Sequence, residues 1–301
     1  SIGYLAMNTA RTAGYNTAIG YKALFSLETT VGNTAVGVSA MNDATTATDN
    51  TAVGENAAYN TTIGRYNVVL GYQALFTDDV GDYTTAIGYK AGYSQNSDSD
   101  NENTYNTVVG AWASYYNETG QQNTWLGHTA GQGADGDSNS YNTGIGSRAL
   151  QAITTGGYNT VVGSDAGFDN TTGASNTFLG YRSGFENTTG ESNTFLGRGS
   201  GKNVKGDVHY IVSVGAYSMQ GVATQNGTVA IGYKALNVLT SGTENIAIGY
   251  QSMLTHTTGS RNMAIGHGAM DDTDGTNISS GSAATVLGSV DNIFIGKDSG
   301  G

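Results

Sequence analysis

Hydrophobic positions in this chain recur at one long, fixed spacing. The pattern Asn-Thr-x-aliphatic-Gly-x-x-(Ala/Ser) runs from end to end, as in Asn16-Thr17-Ala18-Ile19-Gly20, Asn33-Thr34-Ala35-Val36-Gly37 and Asn50-Thr51-Ala52-Val53-Gly54. Its glycines stand at 3, 20, 37, 54, 71, 88, 110, 127, 146, 163, 180, 197, 215, 232, 249, 266, 288 and 296, and 12 of the 17 intervals are 17 residues long. Such self-similarity marks a stacked repeat. Apolar residues do not recur at helical spacings and β-branched residues dominate, so the period predicts short strands rather than helices. A unit this small cannot bury a core alone, but it can form one coil with two or three strands. Coils stacked at roughly 4.8 Å predict a rod on the order of 80–90 Å long. The expected fold is therefore all-β, a β-solenoid or β-roll of 17-residue coils, with residues 1–301 as one repeat segment.

Each column of the repeat predicts a structural role. The residue before the glycine is Ile, Val or Leu in all 18 copies, which predicts a buried ladder of stacked aliphatics. The glycine itself permits a positive φ or a close backbone approach. Ala or Ser follows three residues later in 17 of the 18 copies, predicting a tight inner corner. Asn stands four before the glycine in 13 of 17 copies, where its amide can bond the backbone or a stacked neighbour. Side chains alternate along a strand, so Thr, which fills the column three before the glycine in 11 of 17 copies, shares the aliphatic's inward face. The residue between them then points outward. It is apolar in 15 of 17 copies, Gly144 and Ser213 excepted, and includes Trp125, Phe178, Phe195 and Phe294. An apolar outer column predicts association with identical chains; a wide, flat solenoid burying both faces by itself is the alternative.

Copies such as Asn16-Thr17-Ala18-Ile19-Gly20-Tyr21-Lys22-Ala23-Leu24 and Asn245-Ile246-Ala247-Ile248-Gly249-Tyr250-Gln251-Ser252-Met253 resemble the repeats of bacteriophage tail fibres. They are also similar to the head repeats of trimeric autotransporter adhesins. The resemblance covers essentially the whole chain and implies a parallel homotrimeric fibre that reaches or binds a cell surface, located on a virion or outside a cell. The partners it implies are further copies of the chain and a host-surface glycan or protein. The 17-residue period is longer than the roughly 14 associated with adhesin heads, which favours the tail-fibre side.

Composition narrows the chemistry. Gly numbers 46 and Pro is absent, consistent with many tight turns in a backbone that needs its N–H groups for pairing. Charged residues are only 12% and the net charge is -12, which argues against nucleic-acid partners. No apolar run approaches a membrane span. The absence of Cys excludes disulfides and thiolate metal sites. The chain opens mid-repeat at Ser1-Ile2-Gly3-Tyr4, the expected appearance of a piece of a longer fibre.

No motif in the sequence rises above turn chemistry to a catalytic, cofactor or metal assignment, and the expectation is a non-enzyme. Gly197-Arg198-Gly199-Ser200-Gly201-Lys202 has a superficial likeness to a phosphate-binding loop, but its spacing is wrong and Asn203 follows the lysine. His128, His209, His256 and His267 share no ligand spacing and are expected at the surface or in turns. Insertions near 93–105, 133–140 and 271–284 break the period and are expected to protrude as loops. Asp135-Gly136-Asp137 and Asp272-Thr273-Asp274-Gly275 lack the later bidentate Glu of a calcium loop. A polysaccharide depolymerase would need two carboxylates facing one groove, which acids scattered among separate loops do not offer. Regular threonines could order water as on an ice-binding face, but an inward Thr column argues against that function.

Overall fold

The computed structural model describes residues 1–9, 12, 14–97, 103–221, 226–271 and 290–300. The described residues form three-residue strands joined by turns, with no helix; the fold is a parallel β-solenoid with coils of about 17 residues. Two compact units are distinguished, Ser1–Thr155 and Gly156–Gly301.

The first unit carries β1 (Thr17–Ile19), β2 (Thr34–Val36), β3 (Thr51–Val53), β4 (Val68–Leu70), β5 (Thr85–Ile87), β6 (Thr107–Val109), β7 (Thr124–Leu126) and β8 (Thr143–Ile145). Each pairs in parallel with the next in unbroken register, Thr17 on Thr34, Ala18 on Ala35, Ile19 on Val36. The second unit carries β9 (Thr160–Val162), β10 (Thr177–Leu179), β11 (Thr194–Leu196), β12 (Val212–Val214), β13 (Val229–Ile231), β14 (Ile246–Ile248), β15 (Met263–Ile265) and β16 (Ile293–Ile295). Register holds there too, with Phe178 on Phe195 and Ala247 on Ala264. β15 pairs directly with β16, so Gly266 lies against Gly296. Gly288 falls outside the described residues.

The motif glycine meets both expected conditions. At Gly20 φ is +133°, and an added Cβ would collide with the carbonyl of Gly37 in the next coil. After the glycine the backbone alternates between right- and left-handed conformations. Lys22 and Leu24 have φ of 55° and 50°. The N–H of Lys22 donates back to Tyr4 O at 3.1 Å, and that of Leu24 donates forward to Ala40 O at 3.0 Å. The alternation thus aims successive N–H groups at the preceding and following coils. Each left-handed residue costs roughly 1–2 kcal/mol, and the inter-coil bond it makes, worth about 1 kcal/mol, offsets much of that.

Inside the coil runs the expected asparagine ladder. Asn33 N–H donates to Asn16 Oδ1 at 2.8 Å, and Asn50 N–H to Asn33 Oδ1 at 2.9 Å. The same bonds link Asn159, Asn176 and Asn193 in the second unit. Each amide NH2 reaches a turn carbonyl of the next coil, as Asn50 Nδ2 does to Gly64 O at 2.7 Å. The Ala/Ser column is buried as predicted, and where it is Ser the hydroxyl donates to a strand carbonyl, Ser183 Oγ to Phe195 O at 2.7 Å.

The faces of the strand are the reverse of those expected from sequence. The middle residue points inward: Ala18, Trp125, Val161, Phe178 and Phe195 are completely buried. Thr and the aliphatic point outward, with Ile19 40%, Leu126 47% and Leu179 44% exposed. The invariant aliphatic is therefore not the core ladder, and Val69, Val108, Trp125, Val161, Phe178 and Phe195 are not an outer interface. Val286 lies outside the described residues, and Phe294 is half-buried at the last described coil. The reason is room. Inside a narrow coil the middle residue meets the side chain four after the glycine, and those two positions share one space. Ala18 and Leu24 are both buried, as are Ala35 and Met41, whereas the rings of Phe178 and Phe195 fill the space a side chain at Gly184 or Gly201 would take.

Candidate functional site: the outward strand face

Because each strand holds only three residues, its outer face consists of two parallel columns. In β1 these are Thr17 and Ile19; in β10 they are Thr177 and Leu179. The aliphatic column remains open in coil after coil, including Leu70 at 47%, Leu196 at 38% and Ile231 at 36% exposure. Beside it stands threonine in most coils, replaced by Val68, Val212, Val229, Ile246, Met263 and Ile293. The outward Thr column overturns the expectation that it faces the core. No charged side chain occupies either column of the described strands, so the face is a mixture of methyl groups and hydroxyls.

Aromatic side chains form further columns at the turns. Tyr66, Tyr83 and Tyr105 stack with centroids 5.0 and 5.3 Å apart, and Tyr59, Phe76, Tyr93 and Tyr115 stack at 5.3, 5.2 and 4.9 Å. A stacked ring has its faces covered by its neighbours, so these columns present mainly ring edges to the surroundings. Lys90 Nζ lies over Tyr89, Tyr93 and Tyr115 at 5.8, 5.0 and 5.8 Å.

The segment with a superficial likeness to a phosphate loop is an ordinary coil in its backbone. Gly199 N–H donates to Tyr181 O at 2.9 Å, and Gly201 N–H to Ser218 O at 3.0 Å. Those amides are committed to the stack and cannot cradle an anion.

Three of the four histidines lie at the turns as expected. His128 packs edge-on to Trp112, His209 lies 2.9 Å from Asp207, and His267 stacks on Tyr250 at 5.1 Å. His256 does not: it is buried inside its coil, and desolvation pushes its imidazole pKa down. It occupies the same column, seven after the motif glycine, as Asp78. That carboxyl is fully buried, accepts from Gly81 N–H at 3.1 Å and Ser97 N–H at 3.3 Å, and has a pKa raised to about 6, chiefly by burial.

In the second insertion, Ala134, Asp135 and Gly136 protrude, while Asp137 turns back to be buried and bridges to Asn117. Burial raises the Asp137 pKa. Around the first insertion, Gln95 Nε2 donates to Glu118 O at 2.8 Å and Gln95 Oε1 accepts from Asn106 Nδ2 at 2.9 Å, so its leading end is tied to the core. Residues 98–102 and 272–289, with the Asp272–Gly275 motif, lie outside the described residues. Among the described residues no group of three His, Asp or Glu is placed to hold a metal ion.

Sequence reasoning found the outer columns but not their direction. The missed signal lies six residues from the middle strand position: the residue four after the glycine becomes Gly where the strand residue is Trp125, Phe178 or Phe195. Comparison of the chain with protein-family models, with curated proteins and with solved structures gives no match.

Proposed function

We propose that this chain is a shaft segment of an extracellular fibre, built from identical copies packed in parallel through their outward strand faces. The observation that carries this reading is the uninterrupted outward aliphatic column. Fully burying one Ile or Leu is worth ~1.5–3 kcal/mol, so a side chain left about 40% exposed withholds ~0.6–1.2 kcal/mol per coil. Ile19, Leu70 and Leu126 in the first unit and Leu179, Leu196 and Ile231 in the second are left about that open. They withhold roughly 2–4 kcal/mol per unit, to which the partly covered aliphatics of the other coils add, against an association cost that begins at about 4 kcal/mol. A repeat that places the same uncharged columns in every coil offers copies a self-complementary surface, and closed symmetry satisfies every copy. Three copies are favoured by the resemblance to phage tail fibres, with a bacterial trimeric adhesin as the alternative carrier. The segment acts structurally, as a spacer or a receptor-binding shaft on a virion or cell surface, and not as an enzyme.

Light scattering on the isolated segment tests this. A mass three times that of the 30.9 kDa chain is expected. Leu179→Asp with Leu196→Asp should shift it to one chain while leaving the coil's circular dichroism in place. A monodisperse wild-type monomer would sink the fibre reading. The outward threonines give a second reading: a free Thr-and-aliphatic face of regular spacing that orders water, as an ice-binding surface does. A monomer with thermal hysteresis would assign the face to that function instead.

A further inference from the structure

The turns beside β10, β11 and β12 bring together three cations, of which one is matched by a carboxylate among the described residues. A cleft of about 100 Å³ is lined by Tyr181, Arg182, Arg198, Lys202, Tyr217 and Gln220. It draws on three of the chain's 12 basic residues, in a protein of net charge -12.

The three cations are held differently. Arg182 Nε is 3.3 Å from Asp165 Oδ2, and its guanidinium lies over Tyr181 and Phe185, both at 5.2 Å. Arg198 lies over Tyr217 at 5.2 Å and Tyr181 at 6.0 Å, so the two rings fix its plane. Neither Arg198 nor Lys202 has a carboxylate among the ion pairs of the described residues. The nearby Lys205 is the cation that engages Glu186, at 2.8 Å. The cleft thus holds one satisfied guanidinium, one unsatisfied guanidinium positioned by aromatic faces, and one unsatisfied ammonium.

We propose that this cleft is a binding site for an oxyanion, a phosphate or carboxylate group whether free or carried by a small sugar, held by Arg198 and Lys202 with Arg182 behind them. A guanidinium offers a planar fork matched to two oxygens of one anionic group, and an ammonium adds a point charge. The Tyr181 and Tyr217 rings hold the Arg198 guanidinium at the anion position. Arg198, Gly199 and Lys202 belong to the glycine-rich segment singled out in the sequence, but the chemistry is unlike a phosphate loop. Side chains supply the charge here, because the Gly199 and Gly201 amides are spent on the neighbouring coils. The site lies on the turns after the strands.

The whole chain, in whatever oligomeric state it adopts, would be titrated calorimetrically with glucose 6-phosphate, glucuronate, inorganic phosphate and glucose. Binding of glucose 6-phosphate or glucuronate with a Kd on the order of 1 mM is expected, weakened several-fold when salt rises from about 0.05 M to about 0.5 M. The variant Arg198→Ser with Lys202→Gln should weaken it at least about tenfold. Other coils already carry these residues at the same places, Ser147 and Ser164 for the first and Gln132 and Gln151 for the second. An unchanged melting curve would confirm that the variant folds. Inorganic phosphate binding as tightly as glucose 6-phosphate would assign the ligand as the free ion. Binding unaffected by the double substitution, glucose binding as tightly as its phosphate, or no anion binding would each overturn the proposal.

Discussion

The coils of β1 and β2 and those of β10 and β11 solve one packing problem in opposite ways. In the first unit the strand contributes Ala18 and Ala35, and the turn contributes Leu24 and Met41. In the second unit the strand contributes Phe178 and Phe195, and the turn retreats to Gly184 and Gly201. A Cβ at Gly184 would fall 2.8 Å from the Phe178 ring, and one at Gly131 would collide with Trp125. Protein interiors are close-packed, so in these coils a large member on one side is met by a small one on the other, although pairs such as Ala86 with Gly92 show that the summed volume varies along the stack. Gly144 and Leu150, or Ser213 and Met219, follow the same division.

The strongest way to break this comparison is to disturb one member of a pair. Phe178→Ala should cost about 3–5 kcal/mol, and Gly184→Leu should cost a similar amount, because the added side chain overlaps the Phe178 ring. The double variant Phe178→Ala with Gly184→Leu recreates the Ala18–Leu24 arrangement. It should recover at least about 2 kcal/mol relative to the sum of the single changes. Denaturant titration of the three variants would show it, and strict additivity would mean that the two positions do not share one space.

The buried column seven after the glycine sharpens the contrast between the units by pH. In the first unit the Asp78 pKa is raised to about 6 from an ordinary 3.8, so the folded state holds its proton more tightly than the unfolded chain does. Stability should therefore rise as pH falls through 6 towards 4, by on the order of 2–3 kcal/mol. In the second unit the His256 pKa is lowered from an ordinary 6.5, so its contribution is present above that pH and is lost as pH falls below it. Asp78→Asn, a residue this column carries at Asn170 and Asn187, should remove the acid-side gain. His256→Leu, matching Leu27 and Leu239, should remove the acid-side loss. Melting temperatures across pH 4–8 would check both, and identical profiles for wild type and Asp78→Asn would refute the first.

The smallest effect is expected where both members of a pair are already small. Ala86 stands with Gly92, and a Cβ at Gly92 would make ordinary contacts, 3.7 Å to Leu75 and 3.9 Å to Ala86. Gly92→Ala should cost about 1–2 kcal/mol, the strain of a Cβ on its left-handed backbone, whereas Gly184→Ala should cost more because the ring also stands in the way. Equal losses at the two sites would show that the left-handed backbone, and not the ring, sets the requirement.

Much of this fold could be read from the chain. The period, the strand at Thr17–Ile19 and its copies, the glycine contact and the asparagine ladder all follow from residue types at fixed spacing. The direction of the strand was not legible, because alternation separates two faces without saying which is inside. Invariance of the aliphatic suggested the core, yet a narrow coil places the variable residue inside, where partners trade volume. Threonine gave no arbitration, since its methyl group suits a core and its hydroxyl a surface. The cationic cleft was only half visible. Arg198 and Lys202 are close in sequence, but Arg182 and Tyr217 come to them through stacking of neighbouring coils. The buried Asp78 and His256 escaped notice because nothing in a single coil marks that column as interior.

The glycine contact makes damage in this molecule directional. Gly180 is held to glycine by the carbonyl of Gly197, in the coil that follows it, whereas Gly296 has nothing nearer than Ser299 Cβ at 4.0 Å. A side chain at a motif glycine would therefore push away its successor and leave its predecessor in place. In a stack where each repeat is supported by its immediate neighbours, such a fault is a break point whose severity depends on its address. At Gly180 it would split the second unit between β10 and β11, leaving two short stacks with newly bared ends.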